Sequence, residues 1–273
     1  MISALFFARF RPKSLLIWLF AALVLGAGAV VAYLPSPLEQ LRFLRGEMPE
    51  LFTVLGFVGD SNLPAFVLSA LYGLLLPILA NMQAVSLGRH LLARPLADGR
   101  LAQLLAAPHA RASVLLLHFL ALAVWVVLTQ AACLAGQMLS AVLLFPVADL
   151  TALSRLSIGF IPTALLLSAF CCLLALVSPS EARYARRARL LLALMLILTM
   201  AGRLSGWTRL RLFSVWSLFD GRSLAFGAGG WGLAGLCPGP AIADLTIGGG
   251  TILVYLAAMT GGFLLHRLVR ERG

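Results

Sequence analysis

Side chains able to do chemistry are few and scattered in this chain. Its single lysine, Lys13, stands near the N-terminus and outside any glycine-rich loop. A nucleotide-binding P-loop needs its lysine on the phosphates, so no ATP site of that kind is encoded. Four cysteines, Cys133, Cys171, Cys172 and Cys237, form no C-x-x-C pair and lie in apolar stretches. The first three read as small packing residues within helices. Cys237 differs, because glycine-rich sequence precedes it, Pro238, Gly239 and Pro240 follow, and Asp244 lies just beyond. His118 sits inside an apolar run, where a lone histidine more often bonds a neighbouring helix than a ligand. Paired carboxylates, a Ser/His/Asp arrangement and metal-ligand spacing are all missing from the sequence. The chain reads as a non-enzyme without a cofactor of its own.

Composition says what must position these residues. Of 273 residues, 61% are hydrophobic and 11% charged, and the mean hydropathy is +0.99. A soluble domain keeps roughly a quarter of its residues charged, so the expected class is an all-α polytopic membrane protein embedded in a lipid bilayer. The formal charge of +11 does not point to nucleic acid. Its arginines sit in short runs beside apolar segments, the pattern of retention on the cytoplasmic side.

About six spans and one re-entrant piece are expected. An amphipathic lead over residues 1–13 precedes a first span, Leu15 to Leu34. Pro35 to Pro64 follows as an outer amphipathic segment with Leu38, Leu41, Leu44 and Met48 at helical spacing. The second span runs from Leu63 to Leu87 with a kink at Pro77. Near its inner end, Asn81 and Gln83 are weak candidates for a translocation surface. The third apolar stretch, Val114 to Phe145, is expected to span to about Gln137 and then lie in the interface. Ile158 to Val177 and a short Leu190 to Gly202 make the fourth and fifth spans. Residues 203–223, aromatic and basic, read as interfacial. A re-entrant element from Ala225 to Asp244 and a last span from Thr251 to Leu268 complete the chain. With this count both termini face one side, which also carries the larger share of arginines and is therefore expected to be cytoplasmic, at a bacterial inner membrane.

Between spans two and three lies the one long polar interval, Arg89 to Arg111. Asp98 is placed to cap a short helix opening at Gly99 and Arg100. Leu101, Leu104 and Leu105 recur at i, i+3 and i+4 on one face, and Pro108 ends the helix before Arg111. A surface-lying connector with no partner would have the same pattern.

Gly99 to Arg111, GRLAQLLAAPHAR, resembles the G-T-L-x-x-L-L-A-x-P-x-S-R segment of type 2 ABC transporter permeases. The register fits at Gly99, Leu101, Leu104, Leu105, Ala106, Pro108 and Arg111, while Arg100 and Ala110 replace the usual threonine and serine. Only Asp98 stands where that family carries glutamates before the glycine. Pro49-Glu50 after span one and Phe213 to Gly221 after span five extend the resemblance over residues 1–224. It implies an exporter permease, homodimeric or paired, whose connector docks on a separate ABC ATPase subunit that binds the ATP.

Residues 225–273 break from that pattern. Gly230 to Ala241, GWGLAGLCPGPA, resembles the end of YeeE/YedE-type sulfur-transport proteins. There such a segment forms part of a membrane passage for thiosulfate-like compounds, which implies substrate contact at Cys237. A helix broken inside a membrane is tolerated where it is buried or lines a cavity. Its freed backbone donors favour a thiolate or an anion, and Asp244 would be costly facing lipid. Glycine-mediated packing, with Gly235 and Gly239 as a GxxxG pair, is the competing reading of these residues.

Overall fold

A backbone that crosses hydrocarbon must pair its N–H and C=O groups within itself, and an apolar helix does so. The computed structural model describes residues 12–57, 59–99, 111–178, 180–204, 207, 210, 213–219 and 221. Among the described residues every regular element is helical, and the chain is an all-α polytopic membrane protein.

Helix α1 (Pro12–Val31) has 20 residues, about 30 Å at 1.5 Å per residue, which matches the hydrocarbon thickness. It stops short of the expected Leu34. The chain then bends by 82° into α2 (Pro35–Glu47), followed by α3 (Pro49–Leu55). Proline opens both short helices, where a missing N–H removes nothing. Of the expected amphipathic face only Leu38 is buried; Leu44 and Met48 are exposed.

Helix α4 (Leu63–Ala97) runs for 35 residues, capped by Asn62, whose side chain accepts from the Ala65 N–H. It continues ten residues past the expected end at Leu87, so much of the anticipated polar loop is helical. The cause is packing: Leu91, Leu92 and Ala93 are buried where this stretch meets the later helices α6 and α7. The helix is wound in π register over Leu68–Leu75 and Arg89–Ala93. Pro77 cannot supply the N–H that would bond the Gly73 carbonyl. An outside donor takes its place, since Arg203 Nη2 donates to Gly73 O at 3.1 Å. The expected kink at Pro77 is thus a π turn with an arginine cap.

Helix α5 (Arg111–Leu144) is unbroken for 34 residues, about 51 Å. The expected break after Gly136 is absent because that glycine gives room to α1: a Cβ there would lie 2.2 Å from Leu23 O. Helix α6 (Leu150–Val177) begins eight residues before the expected Ile158, because the Asp149 carboxylate accepts from the Ala152 N–H and caps it. Helix α7 (Glu181–Ala201) likewise starts early, at a Ser180 cap, and Arg183, Arg186, Arg187 and Arg189 on its first turns are exposed. A 3₁₀ turn, Val215–Leu218, follows.

Helix α1 lies along α5, α6 packs on both α4 and α5, and α7 closes against α4 and α6. Helix α4 is central: 78% of its most apolar window is buried, against 44% for α5 and for α6. Three helices among the described residues are long and apolar enough to cross a membrane, and α1 with α2 makes a fourth if that bent pair is one broken span. The expected last span and re-entrant piece lie outside the described residues, as do the lead at residues 1–11 and the connector over 100–110.

Candidate functional site

Two regions carry the polar chemistry: the root of the connector at one end of the bundle, and a buried node toward the other.

At the root, Tyr184 of α7 donates its hydroxyl to the Val85 carbonyl of α4 at 3.0 Å. Gly88 makes room for that ring, since a Cβ there would meet Tyr184 Oη at 2.2 Å and Cys171 O of α6 at 3.1 Å. Arg89 pairs with Glu181 across the same junction at 2.5 Å. The last turns of α4 are thereby tied to the base of α7. Asp98 was expected to open the following helix. Residues 100–110 lie outside the described ones; on the side that is described, Asp98 closes the preceding helix, its N–H donating to Arg94 O and its carboxylate lying 4.0 Å from Arg94 Nε. Gly99 then takes a left-handed φ of +70°, the usual way to end a helix. Arg100, Leu101, Leu104, Leu105 and Pro108 lie outside the described residues, and Arg111 opens α5.

Higher up, Gln83 of α4 donates to Thr129 Oγ1 of α5 at 2.7 Å and points its amide at Trp125 O at 3.4 Å. This residue stitches two helices and is 2% exposed. Asn81 is also buried, and its Oδ1 has no hydrogen-bond partner.

Toward the opposite end, the π turn carries Tyr72. Its hydroxyl lies 2.7 Å from Ser157 Oγ of α6 and 3.2 Å from Gln137 Nε2 of α5. The same amide nitrogen faces Ser157 Oγ and Cys133 Sγ, each at 3.4 Å, while Gln137 Oε1 has no partner. Residues 213–219 seal this node. Phe219 stacks on Tyr72 at 5.6 Å and Trp216 on Phe160 at 5.7 Å, each pair 21° from parallel. Ser214 receives the Thr199 hydroxyl at 2.6 Å. Ser214 and Trp216 are buried, so this part of the segment enters the bundle and does not lie in the interface. Sequence reasoning missed Tyr72, Ser157 and Trp216 and took Gln137 for the end of a span. A glutamine inside an apolar run was the available signal; the π register that aims Tyr72 leaves no pattern.

Cys133, Cys171 and Cys172 are free and buried, as expected of packing residues, and His118 is buried on α5. No group of three or more His, Cys, Asp or Glu that could hold a metal occurs among the described residues. Cys237 and Asp244 lie outside them.

Near the start of α4, Arg42 donates to Asp60 at 2.5 Å, and Arg45 lies 3.6 Å from the same carboxylate. The Arg42 hydrogen bond outweighs partial desolvation and holds Asp60 below the ordinary carboxylate range.

Comparison with known proteins places the C-terminal part. A family of unknown function, DUF6691, matches residues 185–273. Two proteins of Xylella fastidiosa, from strains Temecula1 and 9a5c, are each described as a probable transporter. Each is 51% identical over 49 residues, 16% of this chain and 33% or 34% of its own length. The chain thus spans about a third of the length of the curated relatives it matches. No solved structure matches.

Proposed function

We propose that this chain is a membrane subunit of a transporter, moved by a separate ATPase that grips the connector between α4 and α5. The observation that carries the reading is the build of α4. A 35-residue helix is about 52 Å long, some 20 Å more than the hydrocarbon it crosses. Its inner end leads into the connector, and its middle holds the polar side chains of the core. A push on the connector would reach Gln83 and Tyr72 through one rod, guided at its base by the Tyr184 and Arg89 contacts. The permease-like connector sequence supports an ATP-binding-cassette partner and an export direction. The description of the relatives as probable transporters supports transport as such. Cell-membrane location with both termini cytoplasmic follows from the arginine distribution, and a dimer would let two connectors meet two ATPases.

The test is co-purification of tagged protein from its native host in mild detergent, with residues 98–111 intact or scrambled. An ATPase bound to the intact chain and lost from the scrambled one supports the reading. Its absence from both, under conditions that preserve other membrane complexes, removes it.

A second reading is favoured by a separate observation: the matched family covers residues 185–273, which include the segment resembling sulfur-transport proteins. Here Cys237 and its glycine-rich surroundings pass a thiosulfate-like anion without ATP. Thiosulfate uptake lost in Cys237→Ser and unchanged in Arg111→Ala would select it.

A further inference from the structure

Within the core, the Tyr72–Ser157–Gln137 node is built differently from a packing contact. Tyr72 Oη, Ser157 Oγ and Cys133 Sγ all stand on the nitrogen side of one amide, at 3.2, 3.4 and 3.4 Å. Whichever way round that amide is turned, its other end is left without a partner in a position that is 0% exposed. An unsatisfied polar atom in a buried, water-poor core is costly, and the same cluster holds a second one. Trp216 Nε1, on the segment stacked over the node, is buried with no acceptor. Buried polar side chains normally find partners, so an orphaned amide end and an orphaned indole donor joined through the Tyr72–Phe160–Trp216 ring cluster mark a place where something else bonds.

The chemistry of that something is constrained by charge. The buried polar residues of the described core are Ser, Thr, Asn, Gln and one His, with no Asp, Glu, Lys or Arg among them. The guanidinium of Arg203 is held by the carbonyls of Val54 and Gly73 at 3.0 and 3.1 Å. The polar groups at the node itself, on Tyr72, Ser157, Gln137, Cys133 and Trp216, are neutral, so a charged ligand would give up its hydration there with no opposite charge among them. A hydroxyl or primary amide satisfies an orphaned amide end of either polarity, because each both donates and accepts. The walls, Tyr72, Phe160, Trp216 and Phe219, are flat and aromatic.

We infer that the Tyr72–Ser157–Gln137 node, beneath the Trp216–Phe219 plug, is a binding site for an uncharged molecule carrying a hydroxyl or amide on a flat apolar body. Residues 213–219 cover it at rest. They are short, follow α7 at the end remote from the connector, and are held to the body chiefly by ring stacking and the Thr199–Ser214 hydrogen bond. As a substrate site it rests on the transporter reading above; as a site it stands by itself.

Cys133 is a built-in reporter, since its sulfur faces the Gln137 amide. The protein with Cys171→Ala, Cys172→Ala and Cys237→Ser, reconstituted in nanodiscs, is labelled with N-ethylmaleimide. Trp216→Ala removes one aromatic stack, and labelling of Cys133 is expected to speed up by about tenfold. Benzamide should slow it again, while benzoate and benzylammonium at equal concentration should not. Adding Gln137→Leu to Trp216→Ala should keep the fast labelling and abolish protection by benzamide. Where Trp216→Ala gives no monodisperse peak, Phe219→Leu opens the same plug from the Tyr72 side. Unchanged labelling in a folded plug variant overturns the inference, as does protection that ignores charge or survives Gln137→Leu. No ATPase or nucleotide is present, so failure here leaves the transporter reading standing, and loss of ATPase binding would leave this result untouched.

Discussion

Substituting Gly136 by alanine tests the crossing of α1 and α5 on which the arrangement of the node depends. A Cβ at Gly136 would sit 2.2 Å from Leu23 O and 3.0 Å from Ala27 N; one at Gly26 would sit 2.2 Å from Cys133 O. Each obstructing atom is helix backbone, which cannot swing aside as a side-chain tip can. Ordinary contact begins near 3.4 Å, so the helices must part by roughly 1 Å, enough to forfeit much of the dispersion energy of the facing atoms. Lipid tails are as apolar as the side chains, so close packing is what holds two such helices together. Overpacking of this kind costs about 1–3 kcal/mol, and a fall of about 2–12 °C in the unfolding midpoint is expected for Gly136→Ala. Because one separation clears both contacts, Gly26→Ala with Gly136→Ala should cost less than the sum of the singles. Gly28 is the control. A Cβ there meets nothing within 4 Å, and alanine should leave the midpoint unchanged or raise it slightly through helix propensity. The assay is thermal unfolding in nanodiscs at one scan rate, followed by tryptophan fluorescence. A Gly136→Ala midpoint equal to wild type, or additive doubles, would refute the close-approach argument.

Three further outcomes follow from the geometry. Arg203→Ala should strip the donor from Val54 O and Gly73 O, at about 1.5–3 kcal/mol for each charge-assisted bond. Arg203→Lys should restore only part, because an ammonium does not reproduce the planar fork; hydrogen exchange over residues 68–76 reads the change. Asp60 is held below its ordinary value by Arg42, so the stability it adds is present above that value, near pH 3.9, and is lost as pH falls through the lowered folded value. Asp60→Asn should therefore remove the pH dependence of proteolysis over residues 35–62 between about pH 5 and 2. Gln83→Leu should cost about 1 kcal/mol, the scale of one interhelical hydrogen bond in a membrane, measured as a small midpoint shift without loss of the α4–α5 contact.

How far the sequence reads true depends on the kind of signal. Helices cover the apolar runs expected as spans two, four and five, yet they begin or end earlier or later than expected, and α7 over the fifth run is not among the helices long and apolar enough to cross a membrane. Hydropathy marks hydrocarbon, whereas caps mark helix ends: Asp149 and Ser180 start α6 and α7 in polar sequence before the apolar run begins. In sequence, Gly136 looks the same whether it ends a helix or admits a neighbour; only the passage of α1 decides. Pro77 signalled a distortion correctly, but its resolution needs Arg203, a residue 126 positions away in sequence. The buried node was illegible for a similar reason. Tyr72, Gln137, Ser157 and Trp216 come from four separate segments, and nothing in their spacing announces that they meet. Gln83 was recognised as polar within a span, but burial makes it a stitch between helices.

Under the proposed function, force from a partner ATPase enters through the connector. The most direct measurement is ATP hydrolysis by the co-purified complex in proteoliposomes, comparing wild type, Leu104→Asp and Cys237→Ser. A charge on the apolar face of the expected connector helix should cut hydrolysis at least tenfold, the scale of losing about 1.4 kcal/mol of contact, while Cys237→Ser leaves it unchanged. Hydrolysis indifferent to Leu104→Asp, with thiosulfate uptake abolished by Cys237→Ser, would contradict the account and assign transport to the C-terminal segment.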